Sequence, residues 1–238
     1  MSDTERRRPV CAIAGVGRGN GEAFARRFAA EGYSVGLLAR SKERIETLAA
    51  EIPGARAFAC DVTAAASVEA AYAAIEAELG PVEVLIYNAG KGVWGDVEQV
   101  TPAQFEEAWR VNALGLFLAS RRVIPAMTAA RRGAIVVVGA TASLRGMAGT
   151  SAFASAKAAQ RSLAQSLARY LRPKGVHVAL IVIDGVVCAP ETRERLPDRP
   201  EDFFVKPSAV ADLALALVRQ DRSAWSFEAE ARPFGEKW

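Results

Sequence analysis

The stretch "PVCAIAGVGRGNGEAF", residues 9–24, decides the fold of this chain. It opens with a short apolar run, passes through Gly15, Gly17, Gly19 and Gly21, and leads into an alanine-rich stretch of helical period. Glycines between a strand and a helix let the backbone turn tightly and approach a phosphate at the positive end of the helix. The stretch therefore predicts the first βαβ unit of an α/β fold, with a phosphate-binding loop between its strand and its helix.

Apolar runs alternate with alanine-rich stretches through most of the chain. The run at 134–140 is apolar on both faces, which is typical of a parallel sheet covered by helices on each side. We therefore expect a single α/β domain over 1–238, a Rossmann-type doubly wound parallel sheet of about seven strands flanked by helices. The predicted strands are 9–15, 34–40, 55–61, 82–88, 134–140, 176–184 and one near 224–230. The predicted helices lie near 19–31, 42–51, 64–79, 102–131, 151–172 and 207–220.

Two segments near the C-terminus depart from this alternation. Residues 189–207 carry four prolines and dense charge, and we expect a mobile, lid-like excursion over a site. The aromatic tail "WSFEAEARPFGEKW", residues 225–238, either closes over a site, crosses to another subunit or seals its own core.

Composition excludes several classes of function. Thirty basic and 27 acidic side chains leave a net charge of +3 that is spread along the chain, so we expect no nucleic-acid partner. The sequence contains neither a signal peptide nor a run of about 18 apolar residues, which predicts a cytoplasmic protein without a membrane segment. One histidine and three widely spaced cysteines offer neither a hydrolase triad nor a set of metal ligands, so no metal is expected.

The end of the second predicted strand indicates which dinucleotide binds. A carboxylate at this position would accept hydrogen bonds from a free ribose 2′-hydroxyl, but the sequence there is Ala39-Arg40. Arg18, inside the glycine loop, supplies a second guanidinium that could bind a 2′-phosphate. The two arginines and the missing acid favour NADP(H) over NAD(H) as the coenzyme.

Five ordered motifs between residues 9 and 188 resemble those of the short-chain dehydrogenase/reductase family. They are a spaced glycine motif, an adenine-contacting pair, an N-N-A-G strand end, a structural and proton-relay asparagine, and a nicotinamide loop. The matching positions are Gly15, Gly19, Gly21, Asp61, Val62, Asn88, Gly90, Asn112 and Gly185. Tyr87 replaces the first asparagine of the N-N-A-G motif, and Asp184 replaces the proline of the nicotinamide loop. The resemblance implies that these positions bind the coenzyme, with Asn112 among the catalytic groups.

The catalytic positions of that family are only partly matched. Lys157 falls on the lysine of its Tyr-x-x-x-Lys pair, which implies a contact with the nicotinamide ribose. Phe153 stands where the tyrosine is expected, and Ala140 stands at the serine position thirteen residues earlier. A benzene ring neither gives nor takes a proton.

The resemblance implies an NADP(H)-binding oxidoreductase with a degenerate catalytic tetrad. We expect very weak ketone or alcohol activity, and hydride transfer to an activated small-molecule acceptor, an imine or a conjugated enone, if the protein is active. The alternatives are a non-catalytic NADP(H)-binding sensor or inactive assembly partner, and a relic fold that binds no dinucleotide. The resemblance also implies that two copies pair through the two long helices, 102–131 and 151–172, to give a homodimer or homotetramer.

Overall fold

Seven parallel strands form the central sheet of the structure, a computed structural model that describes residues 7–236. These strands are β1 (Val10–Ala14), β2 (Ser34–Ala39), β3 (Ala55–Ala59), β4 (Val82–Tyr87), β5 (Ala134–Ala140), β6 (His177–Ile183) and β9 (Glu228–Ala231). Their order is β3-β2-β1-β4-β5-β6-β9, and all six pairings are parallel. The strand order reverses direction between β1 and β4, which opens a crevice at their carboxyl ends. The predicted Rossmann-type, doubly wound α/β fold is confirmed.

Helices cover both faces of this sheet. They are α1 (Asn20–Ala30), α2 (Lys42–Glu51), α3 (Ala65–Glu78), α4 (Pro102–Trp109), α5 (Gly115–Ala130), α6 (Ser151–Leu171), α7 (Pro190–Arg195) and α8 (Pro207–Val218). Successive side chains of a strand point to opposite faces, so Ala12 joins the core beneath α3, α5 and α6, while Ile13 joins the core beneath α1, α2 and α8. Within residues 7–236, no helix has the length and apolarity needed to cross a bilayer.

The predicted helix 102–131 is interrupted near its middle. A π-helical turn, Arg110–Leu114, separates α4 from α5, and the Gly115 N–H bonds to the Arg110 carbonyl five residues earlier. The side-chain amide of Asn112 donates to the Ala108 carbonyl at 2.8 Å, which satisfies an acceptor in this widened turn. Such turns often occur at functional sites.

The last strand begins later than predicted. The prediction near 224–230 is wrong for its first residues, because Arg222–Ala224 form a 3₁₀ turn capped by Asp221. The indole N–H of Trp225 donates to the Gln220 carbonyl at 3.2 Å, which ties this segment to the end of α8 instead of to the sheet.

The proline-rich excursion contains regular structure. Pro190 and Pro207 begin α7 and α8, where a residue without an N–H is tolerated. Between these helices, β8 (Phe204–Val205) pairs in parallel with β7 (Val186–Val187). The tail contacts this segment through the Gly235 N–H, which donates to the Asp202 carbonyl at 2.9 Å. The tail's last two residues, Lys237 and Trp238, lie outside the described residues.

Candidate functional site

A cavity of about 650 Å³ lies at the carboxyl ends of β1, β2 and β4, where the strand order reverses. This is the position at which doubly wound sheets bind ligands. The structure brings most of the predicted coenzyme residues together around this cavity. Those that line it are Gly15, Gly19, Gly21, Arg40, Asp61, Val62, Asn88 and Gly90.

Two loop glycines are required by the packing of the loop itself. Gly15 has a φ of +93°, and a Cβ atom placed on it would overlap the backbone nitrogen of Ala89. A Cβ atom on Gly21 would lie 2.7 Å from the Gly15 carbonyl oxygen. Around Gly17, by contrast, no heavy atom of residues 7–236 other than its chain neighbours lies within 4 Å of the Cβ position. The glycines at 15 and 21 therefore bring the start of α1 close to β1 and β4.

Asn88 and Asp61 shape the loops at the strand ends. The Asn88 amide donates to the Gly15 carbonyl at 2.7 Å, which fixes the glycine loop against β4. One Asp61 carboxylate oxygen accepts from the backbone N–H of Thr63 at 2.9 Å and from its hydroxyl at 2.8 Å. These hydrogen bonds hold the pKa of Asp61 below its usual value. Within residues 7–236, no group of three or more His, Cys, Asp or Glu side chains is arranged to hold a metal ion.

Three arginines surround the glycine loop, but they do not share one cavity. Arg40 is exposed and lines the cavity described above. Arg18 lines an adjoining cavity of about 510 Å³ on the other side of the loop. Arg44, in the first turn of α2, lines both cavities, as does Ser41, and sequence reasoning missed both residues. The position of Arg44 inside a predicted helix, four residues after Arg40, is the signal that could have identified it.

Lys157 is buried on α6, with only 6% of its surface exposed. Its ammonium group donates to the Val138 carbonyl and to the side-chain oxygen of Gln160, each at 3.0 Å. Burial lowers the pKa of Lys157 to about 7. Phe153, one turn earlier, packs against Trp94 with 4.9 Å between ring centroids.

Lys157 and Asn112 lie directly behind Gly90, which forms part of the cavity wall. A Cβ atom on Gly90 would lie 3.7 Å from the Lys157 nitrogen and 3.4 Å from the Asn112 side-chain oxygen. The Asn112 amide group also donates to the Lys91 carbonyl at 3.0 Å, which ties the Gly90 loop to the π-helical turn. The predicted catalytic pair therefore reaches this wall of the cavity, although neither side chain is among the lining residues named above.

Several buried polar side-chain atoms lack a hydrogen-bond partner among the described residues. The side-chain oxygen of Asn20, in the first turn of α1, is one of them, and Asn20 lines the cavity. The Asn112 oxygen, the Ser143 hydroxyl and the Gln160 amide nitrogen are others. An unpaired buried polar group costs about 1–3 kcal/mol, so the oxygens of Asn20, in the cavity lining, and of Asn112, next to Gly90, are candidate acceptors for a bound polar ligand. Ala140, at the end of β5, contributes only a methyl group.

The loop after β6 is held by the tail. The carboxylate of Asp184 accepts from the Thr141 hydroxyl at 2.6 Å and pairs with the Arg232 guanidinium at 2.7 Å, so both of its oxygens are engaged. Gly185 has a φ of +150°, and Pro233 packs over it, 2.7 Å from where a Cβ atom would lie. Gly185 is not among the cavity-lining residues, whereas Val187, which sequence reasoning missed, lines the cavity two residues later.

Comparison with known proteins gives matches over most of the chain. The family model described as short chain dehydrogenase matches residues 9–199. A protein named inactive 2-(S)-hydroxypropyl-CoM dehydrogenase 2, from Xanthobacter autotrophicus, is 35% identical over 203 residues, which cover 79% of this chain and 87% of that protein. A solved structure of a short-chain dehydrogenase from Rhodopseudomonas palustris is 36% identical with a TM-score of 0.83, covering 96% of this chain and 100% of that chain. A metagenomic short-chain oxidoreductase solved in complex with NADP is 28% identical with a TM-score of 0.81, covering 96% of this chain and 98% of that chain.

Proposed function

Because this chain belongs to the short chain dehydrogenase family, we propose that it is an NADP(H)-dependent oxidoreductase that transfers hydride to an activated acceptor, either an imine or a conjugated enone. The observation that carries the proposal is the cavity of about 650 Å³ at the strand crossover, with the glycine loop on one side and Lys157 behind the Gly90 wall. The cavity supports dinucleotide binding, and the side chains beside Lys157 determine which acceptors can be reduced.

The residues around the cavity fit a phosphorylated dinucleotide. The glycine loop and the start of α1 would hold the pyrophosphate, where backbone N–H groups and the helix dipole favour negative charge. Arg40 and Arg44 would bind the 2′-phosphate, since the second strand ends without a carboxylate. The side-chain oxygen of Asn20, which has no hydrogen-bond partner within residues 7–236, would accept from a ligand hydroxyl. A relative solved in complex with NADP at 28% identity supports the same coenzyme.

The side chains beside Lys157 would limit the reaction to acceptors that need little acid catalysis. NADPH, when bound, supplies a hydride. Phe153 stands where family members carry a proton-donating tyrosine, and Ala140 stands at the serine position, so neither can stabilise the oxygen of a ketone as negative charge develops on it. A positioned proton donor typically contributes about 10²–10⁴-fold to the rate. An iminium ion already carries a positive charge and an enone delocalises the incoming electrons, so both depend less on the missing groups.

NADPH oxidation against imines, enones and ketones tests this proposal. We expect turnover of an imine or an enone, and ketone turnover lower by about 10²-fold or more. The double variant Ala140→Ser/Phe153→Tyr is expected to gain ketone reduction while its affinity for NADPH stays the same. Phe117→Tyr, on an exposed face of α5, is the matched control and should leave ketone turnover unchanged. If the double variant binds NADPH and still leaves ketones untouched, the assignment of a degenerate tetrad is wrong.

The alternative is a non-catalytic NADP(H)-binding sensor or the inactive partner in an assembly. Two observations favour it. Trp94 packs directly on Phe153, and a relative at 35% identity is named inactive. Tight NADPH binding without turnover of any acceptor would support this alternative. Failure to bind any dinucleotide would contradict both functions.

A further inference from the structure

Gln160 is a polar residue in an apolar environment. It lies on α6 three positions after Lys157, on the same face of the helix, and none of its surface is exposed. Its side-chain oxygen accepts from the Lys157 ammonium at 3.0 Å, and its amide nitrogen has no hydrogen-bond partner among the described residues. A leucine could fill a similar volume without burying a polar group. Within the described chain, the contact with Lys157 is the one hydrogen bond that offsets the cost of burying this amide.

Gln160 and Val138 together fix the direction of the Lys157 ammonium. A lysine ammonium has three donors, and two of them are used by the Val138 carbonyl and the Gln160 oxygen. The third remains for a ligand, and the nitrogen lies 3.7 Å from the Cβ position of Gly90 in the cavity wall. Two fixed acceptors therefore restrict a long, flexible side chain to one placement behind that wall.

We infer that Gln160 is a positioning residue that holds the Lys157 ammonium at the wall of the cavity, so that its remaining donor is directed to the bound coenzyme. The inference rests on the proposed function for the identity of that ligand. Gln160 acts through Lys157 and touches neither the coenzyme nor the acceptor.

The electrostatics of the site make the Gln160 contact measurable. Burial is the cause of the lowered pKa of Lys157, and a neutral amide compensates for that burial only in part. Several of the charged side chains on α6 and its neighbouring elements form ion pairs with one another, whereas Arg121 on α5 lies over the Phe117 ring and Arg169 on α6 is exposed. These pairs are Lys91–Glu107, Arg110–Glu106, Arg161–Glu228 and Asp184–Arg232. The acceptor at position 160 should therefore have a direct effect on the charge state of Lys157.

NMR titration of the lysine side chains in the full chain, without coenzyme, tests the inference. The Lys157 signal is assigned by its loss in Lys157→Arg. Gln160→Leu should lower the pKa of Lys157 by about one unit, because the ammonium loses an acceptor. Gln160→Glu should raise that pKa by about one unit or more, because a carboxylate replaces the amide. Gln165→Leu, the same change five residues along α6, is the matched control and should leave the Lys157 pKa unchanged.

A second readout separates positioning from a structural role. If the ammonium form binds the coenzyme, Gln160→Leu should weaken NADPH binding about tenfold at pH 8 but only about twofold at pH 6, where Lys157 is about nine-tenths charged in the wild type and about half charged in the variant. A structural defect would weaken binding equally at both pH values. An unchanged Lys157 pKa in both Gln160 variants would overturn the inference, and Gln160→Glu decides the matter if the leucine variant does not fold. A wild-type protein that binds no NADPH would overturn the proposed function alone, since the titration is performed without coenzyme.

Discussion

Phe153 and Lys157 share one face of α6, and the ring centroid of Phe153 lies 6.0 Å from the ammonium nitrogen of Lys157. A ring at this distance attracts a cation weakly, but it supplies no proton and accepts none. Trp94 also packs against this ring, with 4.9 Å between the ring centroids. Lys157 is thus enclosed by helix, strand and aromatic groups, and its charge changes close to neutral pH because of that burial.

The burial of Lys157 predicts a pH-dependent effect on stability. Burial lowers the pKa of Lys157 from 10.5 to about 7 in the folded state. Below pH 7 the folded protein therefore buries a charged ammonium group, and this lowers its free energy of unfolding. Between pH 7 and 10.5 the unfolded chain binds more protons than the folded chain, and the free energy of unfolding rises with pH. Lys157→Met removes this cost but also the donor to Val138 and Gln160, a loss that does not depend on pH. The stability of Lys157→Met relative to the wild type should therefore be more favourable at pH 6 than at pH 10 by a few kcal/mol.

Urea unfolding at pH 6 and pH 9.5 measures this difference. Lys42→Met is the control, since Lys42 is exposed and pairs with Glu46 on the surface of α2. Its effect should be small and similar at both pH values. A difference between Lys157→Met and the wild type that does not change with pH would show that Lys157 titrates normally in the folded protein.

The packing of the glycine loop predicts that alanine at position 21 and alanine at position 17 have different effects on the free energy of unfolding. Gly21→Ala would place a methyl group 2.7 Å from the Gly15 carbonyl oxygen, and backbone atoms cannot move aside cheaply. We expect a loss of about 1–3 kcal/mol in the free energy of unfolding. Gly17→Ala is the matched control in the same loop, because open space surrounds its Cβ position. Equal destabilisation of the two variants in urea unfolding would contradict this account of the loop.

The arginines around the cavity predict which dinucleotide is preferred. Arg40→Leu should weaken NADPH binding about 10–100-fold, because a charge-assisted contact to the 2′-phosphate is lost, and should leave NADH binding unchanged. Arg18→Leu should have a smaller effect, since Arg18 lies on the adjoining cavity. Calorimetric titration with both dinucleotides makes the measurement, with Arg169→Leu, exposed on α6, as the control. Equal losses for NADPH and NADH in Arg40→Leu would refute the assignment of a 2′-phosphate contact.

Local sequence patterns predict the sheet because most of its strands, though not the edge strands β3 and β9, are buried on both faces. A strand such as β5 is a continuous apolar run, and its bounds agree with those observed. The π-helical turn at Asn112 has no comparable signal, because the turn depends on side-chain hydrogen bonds to Ala108 and Lys91. The pairing of β7 with β8 joins residues far apart in sequence, and two-residue strands leave no periodicity.

For the candidate site too, local sequence patterns predict some of the residues, whereas others come together only through tertiary packing. Glycine spacing and the residue after β2 predict the glycine-loop wall of the cavity and Arg40, since both signals are local in sequence, whereas Asp61, Val62, Asn88 and Gly90 are predicted through the family resemblance. Gln160 resembles a surface residue in an alanine-rich helix, and its burial follows only from the packing of α6 on the sheet. Val187 lines the cavity because the loop after β6 folds towards the glycine loop, within 3.5 Å of the Cβ position of Gly19.

The contact between the tail and the β6 loop leads to the last prediction. The Arg232 guanidinium pairs with the carboxylate of Asp184 at 2.7 Å and with that of Glu230 at 2.6 Å. Pro233 packs over Gly185. Arg232→Gln should lower the free energy of unfolding by about 1–3 kcal/mol and weaken NADPH binding, because the loop that leads to Val187 loses its support. Arg232→Lys keeps the charge and should recover part of both losses.

Arg161→Gln is the matched control for the tail, because Arg161 pairs with Glu228, the first residue of β9, whereas Arg232 directly follows the last residue of β9, Ala231. This pair is more exposed than the Arg232 pair, so its loss should cost less than about 1 kcal/mol and leave NADPH binding unchanged. Urea unfolding and NADPH titration of the three variants separate a local contact from general weakening of β9. If Arg161→Gln and Arg232→Gln weaken NADPH binding equally, the tail supports the sheet edge and has no specific effect on the cavity.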